Sequence, residues 1–237
     1  MSLNNLTPAQ AAQTLLEAAR EQNWASSEAE NARSWWFDAE PESLAQALAT
    51  PADRLAAFLN LYNAWAQHLA AEIPRNRIPL SLFMQRGVLL AGKTVSLNTL
   101  EHSLIRAGQI WWALGWLKEP FPGRWKKRLR LNKLDCRIHF ALNCAAASCP
   151  PIRYYQAAKL EEQLDLATQA YLQATLSWDA DKRILTLPGI FRFYPGDFGG
   201  KRGQLRLLEN YGLMPDKPIR KLCYAAWDWS AKLGAYA

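Results

Sequence analysis

His139-Phe-Ala-Leu-Asn-Cys144-Ala-Ala-Ala-Ser-Cys149-Pro-Pro151 brings together one of the chain's three histidines and two of its four cysteines. Residues 136–142, leading into it, are apolar and alternating, which reads as a buried strand. The small residues 145–148 and the two prolines then read as a turn. On a strand, His139, Ala141 and Asn143 share one face, so a polar pair lies beside the Cys144 thiol. A thiol near an imidazole is the raw material of nucleophilic catalysis, because the imidazole can hold it as thiolate. Inward-pointing amides in the following turn are what an oxyanion hole uses. The same spacing suits a plain buried strand closed by a proline turn, and both readings stand at this point.

Outward from this segment, the chain alternates strong helical patterns with short strand patterns. Residues 7–22 read as a helix, with Thr7 as cap and Pro8 in the first turn. Residues 23–40 read as looser, and 42–49 as another helix. The strongest pattern is 52–71, where Leu55, Phe58, Leu59, Tyr62, Trp65 and Leu69 recur at three- and four-residue steps and Asn60 and Asn63 flank that face. Pro74 and Pro79 break the chain, residues 80–90 read as a short helix or extended piece, and Gly92-Lys93 turns into a strand at 94–96. Ser96 or Asn98 caps a helix running to about Arg106, with Glu101 in its first turn. Residues 158–175 read as a helix, 178–188 as a hairpin, 189–200 as a loop, 203–211 as a helix and 223–230 as a final strand. The expected fold is therefore α+β: one structural unit, with helices packed on a small, mostly antiparallel sheet of residues 94–96, 136–142, 178–188 and 223–230. Residues 1–45 read as an N-terminal helical extension to a domain at 46–237.

At 237 residues, half apolar and about a fifth charged, the chain can bury a substantial core and has the balance of a soluble globular protein. Eleven tryptophans, several of them clustered, point to a core dominated by aromatic contacts. The start lacks the pattern of a secretory signal, and no window approaches the roughly 18 apolar residues of a membrane span. A cytoplasmic location is expected. Four irregularly spaced cysteines then read as reduced thiols.

Residues 118–137 hold eight Lys/Arg against Glu119 and Asp135, which accounts for nearly all of the net charge of +7. Arg124, Lys126, Lys127, Arg128 and Arg130 are the candidate contacts for an anionic surface or acidic protein partner. Trp125 among them fits a membrane surface, and a solvated helix face is the plainer reading. No helix-turn-helix, finger or aromatic-sheet pattern accompanies the block, so nucleic acid is not an expected partner. Cys144 and Cys149 lack a second Cys-x-x-Cys, a His-x-x-x-His or an aspartate cluster nearby, and no glycine-rich phosphate loop is present. No metal or other cofactor is expected.

Further motifs carry a family resemblance. They are Phe58-Leu-Asn60-Leu-Tyr62-Asn63-Ala64, Ser96-Leu97 through Glu101-His102 to Ile105-Arg106, and Arg137-Ile-His139-Phe-Ala-Leu-Asn143-Cys144 with Ser148-Cys149-Pro150-Pro151. Tyr155, Ile190-Phe191, Tyr194, Asp197-Phe198 and Asp228-Trp229-Ser230 follow in order. In these the chain resembles the domain-of-unknown-function family 547 over roughly residues 50–230. The resemblance implies that Asn60, Asn63, Glu101, His102, His139, Cys144 and Cys149 belong together, and some members look similar to papain-like or transglutaminase-like thiol enzymes. Many relatives carry a signal or further domains, and neither is expected here. Glycine usually follows the first cysteine in the family. Ala145 stands in that place, which is costly if the position needs a positive φ.

Two functions follow as expectations. The first is a Cys-His hydrolase or acyl transferase acting on an amide or thioester bond of a small-molecule or peptide substrate. Cys144 is its nucleophile, with Cys149 the alternative. His102 is its favoured base, oriented by Glu101 or Asp197, His139 is the rival base, and Asn60 or Asn63 polarises the carbonyl. The second is a non-catalytic scaffold that binds a protein partner or anionic surface through residues 118–137.

Overall fold

Thr7 starts the first helix. Its hydroxyl accepts from the Gln10 amide (3.2 Å), Gln10 Oε1 accepts from the Thr7 amide (2.9 Å), and Pro8 fills the first turn of α1 (Pro8–Arg20). These helices belong to a computed structural model described for residues 6–73 and 76–237. Two further helices, α2 (Ser27–Asp38) and α3 (Pro41–Ala47), lead to α4 (Pro51–Ala71), where Thr50 and Asp53 repeat the capping box. Fifteen of the 21 residues of α4 are buried, so it is a central helix with partners all round and not a one-sided surface helix. The stretch read as looser contains α2, with Ser26 Oγ accepting the Ala29 amide (3.2 Å), Glu28 and Glu30 in the first turn, and Ala29, Ala32 and Trp36 buried.

Past α4, the expected break at Pro74 lies outside the described residues. Residues 80–90 hold both of the forms read for them: α5 (Ser81–Met84), then strand β1 (Arg86–Leu90). A turn at Ala91-Gly92 leads to β2 (Lys93–Ser96), antiparallel to β1 with Val88 opposite Val95. Ser96 Oγ accepts the Thr99 amide (3.1 Å) and so caps a π-helix over Thr99–Ile105, whose wide turn is closed by Arg106 N–H donating to Glu101 O (2.7 Å). Residues 109–118 form a loop closed by a Gln109–Lys118 bridge, with the Ile110 amide donating to Leu117 O (2.9 Å). Its tryptophans do not join the core: Trp111, Trp112 and Trp116 are 53, 60 and 60% exposed. The short helix α6 (Arg124–Leu129) follows.

The segment read as a strand at 136–142 is a 3-10 helix over Cys136–Phe140, its start fixed by Asp135 Oδ1 accepting the Arg137 amide (2.9 Å). Every residue from Ile138 to Asn143 is buried. With no solvent face, alternation cannot distinguish a strand from a helical turn.

The C-terminal part holds α7 (Leu160–Thr175), β3 (Ser177–Asp179), β4 (Ile184–Leu187), α8 (Ile190–Phe193), α9 (Gly200–Asn210) and β5 (Lys221–Tyr224). β3 and β4 form the expected hairpin, and β5 adds to β4 in parallel. The fold is α+β, with two small sheets, β1-β2 and β3-β4-β5, in place of the single expected sheet. Residues 225–230, read as part of the last strand, leave the sheet. The tail then runs beside the cysteine turn, with Lys232 N–H donating to Ala145 O (2.7 Å) and the Ile78 amide donating to Trp229 O (2.9 Å). One apolar cluster joins α1, α2 and α4 to the middle of the chain, and a second gathers Phe140, α7, β4 and α8. The N-terminal helices thus share the core of residues 46–164.

Candidate active site

Walls drawn from both apolar clusters enclose a cavity of about 830 Å³, within the range of small-molecule sites. Phe83, Trp111, Phe193, Trp227 and Trp229 supply much of its surface. Its polar groups are Arg77, Asn98, Tyr62, Glu101, His102, His139 and Tyr194, together with Cys144 and Cys149. Five expected site residues from two separated segments therefore face one space.

Glu101 is 7% exposed and accepts from two phenols, Tyr62 Oη (3.2 Å) and Tyr194 Oη (3.0 Å). Burial raises its carboxyl, but His102, Arg106 and His139 close by, with the Tyr194 hydrogen bond, hold it below the usual carboxylate range. Burial and the same carboxylate push both phenols well above their ordinary values, so both donate. Glu101 is a fixed, fully partnered anion.

Arg106, four residues beyond His102, lies fully buried and contacts His102 Nδ1 through Nη1. A guanidinium can only donate, so His102 Nδ1 accepts and the proton of the neutral ring sits on Nε2. Burial pushes the imidazole down to about 4, the Glu101 carboxylate opposing and Arg106 assisting. His102 Nε2 lies 3.9 Å from Glu101 Oε1. The Arg106 guanidinium also covers the Tyr194 ring at 4.4 Å and donates through Nε to Asp197 Oδ2 (2.7 Å).

Asp197 Oδ2 also meets His139 Nε2 at 2.7 Å, and the His139 ring stacks on Tyr194 (centroids 4.1 Å apart). Burial raises the Asp197 carboxyl, while His139 and Arg106 together hold it below its usual range. Burial lowers His139, the Asp197 hydrogen bond opposing. The neutral ring therefore donates from Nε2 to the carboxylate and carries its lone pair on Nδ1, an atom with no hydrogen bond among the described residues. Asp197 is set in turn by the 109–118 loop. The Gly196 amide donates to Leu114 O (3.0 Å), and a Cβ on Gly115, whose φ is +88°, would collide with the Asp197 carboxylate.

Cys144 and Cys149 are paired as a disulfide with Cα atoms 6.2 Å apart, while Cys136 and Cys223 are free. This corrects the reading of four reduced thiols. No hydrogen bond joins either sulfur to an imidazole among the described residues. Ala145 adopts φ +62°, so the position does need the left-handed region and holds alanine there. The turn does not present a row of free amides. Cys144 N–H donates to Cys149 Sγ (3.1 Å), Ala145 N–H to Asn143 Oδ1 (2.7 Å), Ala147 N–H to Ser230 O (2.8 Å) and Cys149 N–H to Ala146 O (3.0 Å).

A family model described as protein of unknown function, DUF547, matches residues 46–172, a little over half of the chain. The chain belongs to the DUF547 family. No curated protein and no solved structure matches it. The DUF547 match holds the asparagines, Glu101, His102, His139 and both paired cysteines, while Tyr194 and Asp197 come from the chain beyond it.

Asn60 and Asn63, expected to polarise a substrate carbonyl, do not reach the cavity. Asn60 Nδ2 donates to Tyr155 O (2.8 Å), and its Oδ1 accepts the Tyr155 amide (2.9 Å). Asn63 Nδ2 donates to Ala141 O (3.0 Å), and its Oδ1 accepts the Asn143 amide (2.8 Å). Both side chains are consumed in clamping backbone onto α4. Three site groups went unassigned in the sequence: Tyr62, Tyr194 and Arg106. Arg106 had a legible signal, since it follows His102 by four residues. The two phenols meet Glu101 only through long-range packing.

Of the basic candidates, Lys126 pairs with Glu119 (2.8 Å) and Arg128 with Glu42. Arg130 is half-buried, and Arg124 and Lys127 are exposed and outside any ion pair among the described residues. No group of three or more His, Cys, Asp or Glu among the described residues is placed to hold a metal ion, and no helix there is long and apolar enough to cross a membrane.

Proposed function

We propose that this DUF547 chain is a cysteine–histidine acyl-transfer enzyme, a hydrolase or transferase acting on an amide or thioester bond. The observation that carries the reading is the meeting of the cysteine pair, both histidines and the Glu101 carboxylate on one cavity. A dithiol reductant first opens the Cys144–Cys149 pair, supplying two electrons and two protons. The Cys144 sulfur then attacks the carbonyl carbon and expels the amine or thiol to leave an S-acyl enzyme. Water or an acceptor nucleophile next breaks that bond and restores the thiol. His139 takes the proton at Nδ1 and returns it to the leaving group, oriented by Asp197 at Nε2, so the favoured base moves from His102 to its rival. His102, with its proton on Nε2, serves as donor to the carbonyl oxygen, the task first given to Asn60 or Asn63. Cys149 is the alternative nucleophile. The cytoplasm, the location expected from the sequence, is the compartment that keeps such a pair reduced.

Iodoacetamide labelling of the folded protein tests this reading. Before reduction only Cys136 and Cys223 are open to label, and burial with Asp135 nearby pushes the Cys136 thiol up to about 11. After mild reduction, Cys144 or Cys149 should label much faster than Cys136 and Cys223, and His139→Gln should abolish the advantage. Slow, equal labelling of all four cysteines overturns the proposal.

The second reading, a scaffold acting through residues 118–137, has its support in exposed Arg124 and Lys127. It expects Cys144→Ser to leave partner binding intact and charge reversal on α6 to abolish it.

A further inference from the structure

The loop at 109–118 and the chain that follows expose large apolar side chains to an unusual degree. Trp112 and Trp116 are each 60% exposed and Phe121 is 90% exposed, with Leu117 at 52% between them. These side chains are presented by a held backbone: the Gln109–Lys118 bridge closes the loop, Glu119 N–H donates to Gly108 O (2.8 Å), and Gly115 seats against Asp197. Several large apolar side chains exposed within one short, hydrogen-bonded stretch of chain mark an interaction site. The neighbouring cations Lys118, Arg124 and Lys127 are exposed and outside any ion pair among the described residues. Exposed Trp and Phe with Lys and Arg close by in the chain is the combination that seats a protein in the headgroup region of a negatively charged bilayer.

The same loop reaches the cavity. Trp111 and Leu114 are 53 and 46% exposed and line it, as do Leu80 and Met84 at 69 and 45%. Arg77, an exposed lining residue, adds a cation for an anionic headgroup. Away from these residues the walls are mostly aromatic and aliphatic, and the polar groups lie together around Glu101 and the histidines.

We infer that residues 111–121, with the flanking cations, form an interfacial docking surface for anionic lipid, which sets the cavity mouth against the bilayer so that the site takes an acyl-chain amphiphile. The docking half stands on exposure and charge alone. The substrate half rests on the acyl-transfer reading, whose carbonyl would be attached to a chain lying along the Trp227 and Trp229 wall.

Co-sedimentation with phosphatidylcholine vesicles, with and without phosphatidylserine, tests the docking half. The full chain should bind the phosphatidylserine vesicles, weaken as salt rises, and bind the neutral ones poorly. The W112A/W116A/F121A variant should lose on the order of 100-fold in partitioning. R124Q/K127Q should lose on the order of 30-fold at low salt. All five positions are exposed, so an unchanged melting temperature shows that the variants fold. Absence of vesicle binding at low salt, or undiminished binding by the folded aromatic variant, overturns the docking surface. Association of the chain with itself that W112A/W116A/F121A removes, without vesicle binding, overturns it in favour of a protein interface. Cys144→Ser should bind vesicles like the parent, so failure of the chemistry leaves this result readable. For the substrate half, N-dodecyl iodoacetamide should label the reduced pair at least tenfold faster than iodoacetamide itself. Equal rates overturn the acyl-chain assignment and leave the docking result standing.

Discussion

The asparagines of α4 and the charged residues around the cavity both carry buried polar side chains, yet they spend their hydrogen-bonding capacity differently. Asn60 and Asn63 each give one donor and one acceptor bond to backbone of distant segments and lie buried away from the cavity. Gln67 and Asn143 continue the pattern, with Gln67 Nε2 donating to Asn143 Oδ1 (3.0 Å). These amides form an architectural clamp that pins the 139–155 segment against the central helix. Glu101, His102, Arg106, His139 and Asp197 make a smaller, charged cluster whose histidines keep one ring atom each turned from the protein network. The difference teaches that recurrence in a family motif does not identify a reacting group. A side chain whose polar atoms are all satisfied by backbone holds the fold, while one with a free, oriented atom on a cavity is available for chemistry.

The largest effect that would sharpen this contrast is on activity. On the acyl-transfer reading His139 is the general base, so His139→Gln should lower the rate of thiol acylation by about 10²–10⁴-fold with little change in melting temperature. Comparable loss of stability and rate would break the distinction. The converse is Asn63→Ala, which leaves the Ala141 carbonyl and the Asn143 amide buried without partners. It should cost about 3 kcal/mol, seen as a fall of roughly 6–12 °C in melting temperature.

Acid should strike the charged cluster and spare the amides. His102 titrates at about 4 in the fold against about 6.5 when unfolded, so the unfolded chain binds the extra proton first. Its contribution is complete above pH 6.5 and is lost as the pH falls from 6.5 towards 4, by about 3 kcal/mol in all. Glu101 and Asp197, both depressed, lose their contributions in the same direction at lower pH. Denaturant titrations of the parent and His102→Gln between pH 7 and 4 should show the parent's slope flattened in the variant. Equal slopes would remove His102 from the account. The smallest effect is at Ala145, where relief of the left-handed alanine in Ala145→Gly should stabilise by about 1 kcal/mol, a rise of about 2–4 °C on melting.

Much of the helical frame was legible. Thr7 and Pro8 announce the first helix, and the spacing of Leu55 to Leu69 marks the central helix, whose capping box at Thr50 was not read. The missed helix α2 had signals of the same kind, with Ser26 before an acidic first turn and an Ala29–Ala32–Trp36 stripe. The segment at 136–142 failed for a different reason: full burial on every side erases the polar face that gives periodicity its meaning. The tryptophans at 111–116 failed in the opposite sense. Hydrophobicity places such residues in the core on average, and these are held outward by a closed loop.

The sequence by itself determined the α+β class, the family, and a list of candidate residues, because capping, spacing and motif are properties of chain neighbours. Only the tertiary structure decided which of those candidates meet a cavity, and it added Tyr62, Tyr194 and Arg106 to them. It turned Asn60 and Asn63 into clamps, gave Asp197 to His139 and Arg106 to His102, and closed Cys144 on Cys149. Those outcomes depend on contacts between positions as far apart as residues 62, 101, 139 and 197. Hydrogen-bond capacity is finite, and which partner takes it is settled only when those segments are packed against one another.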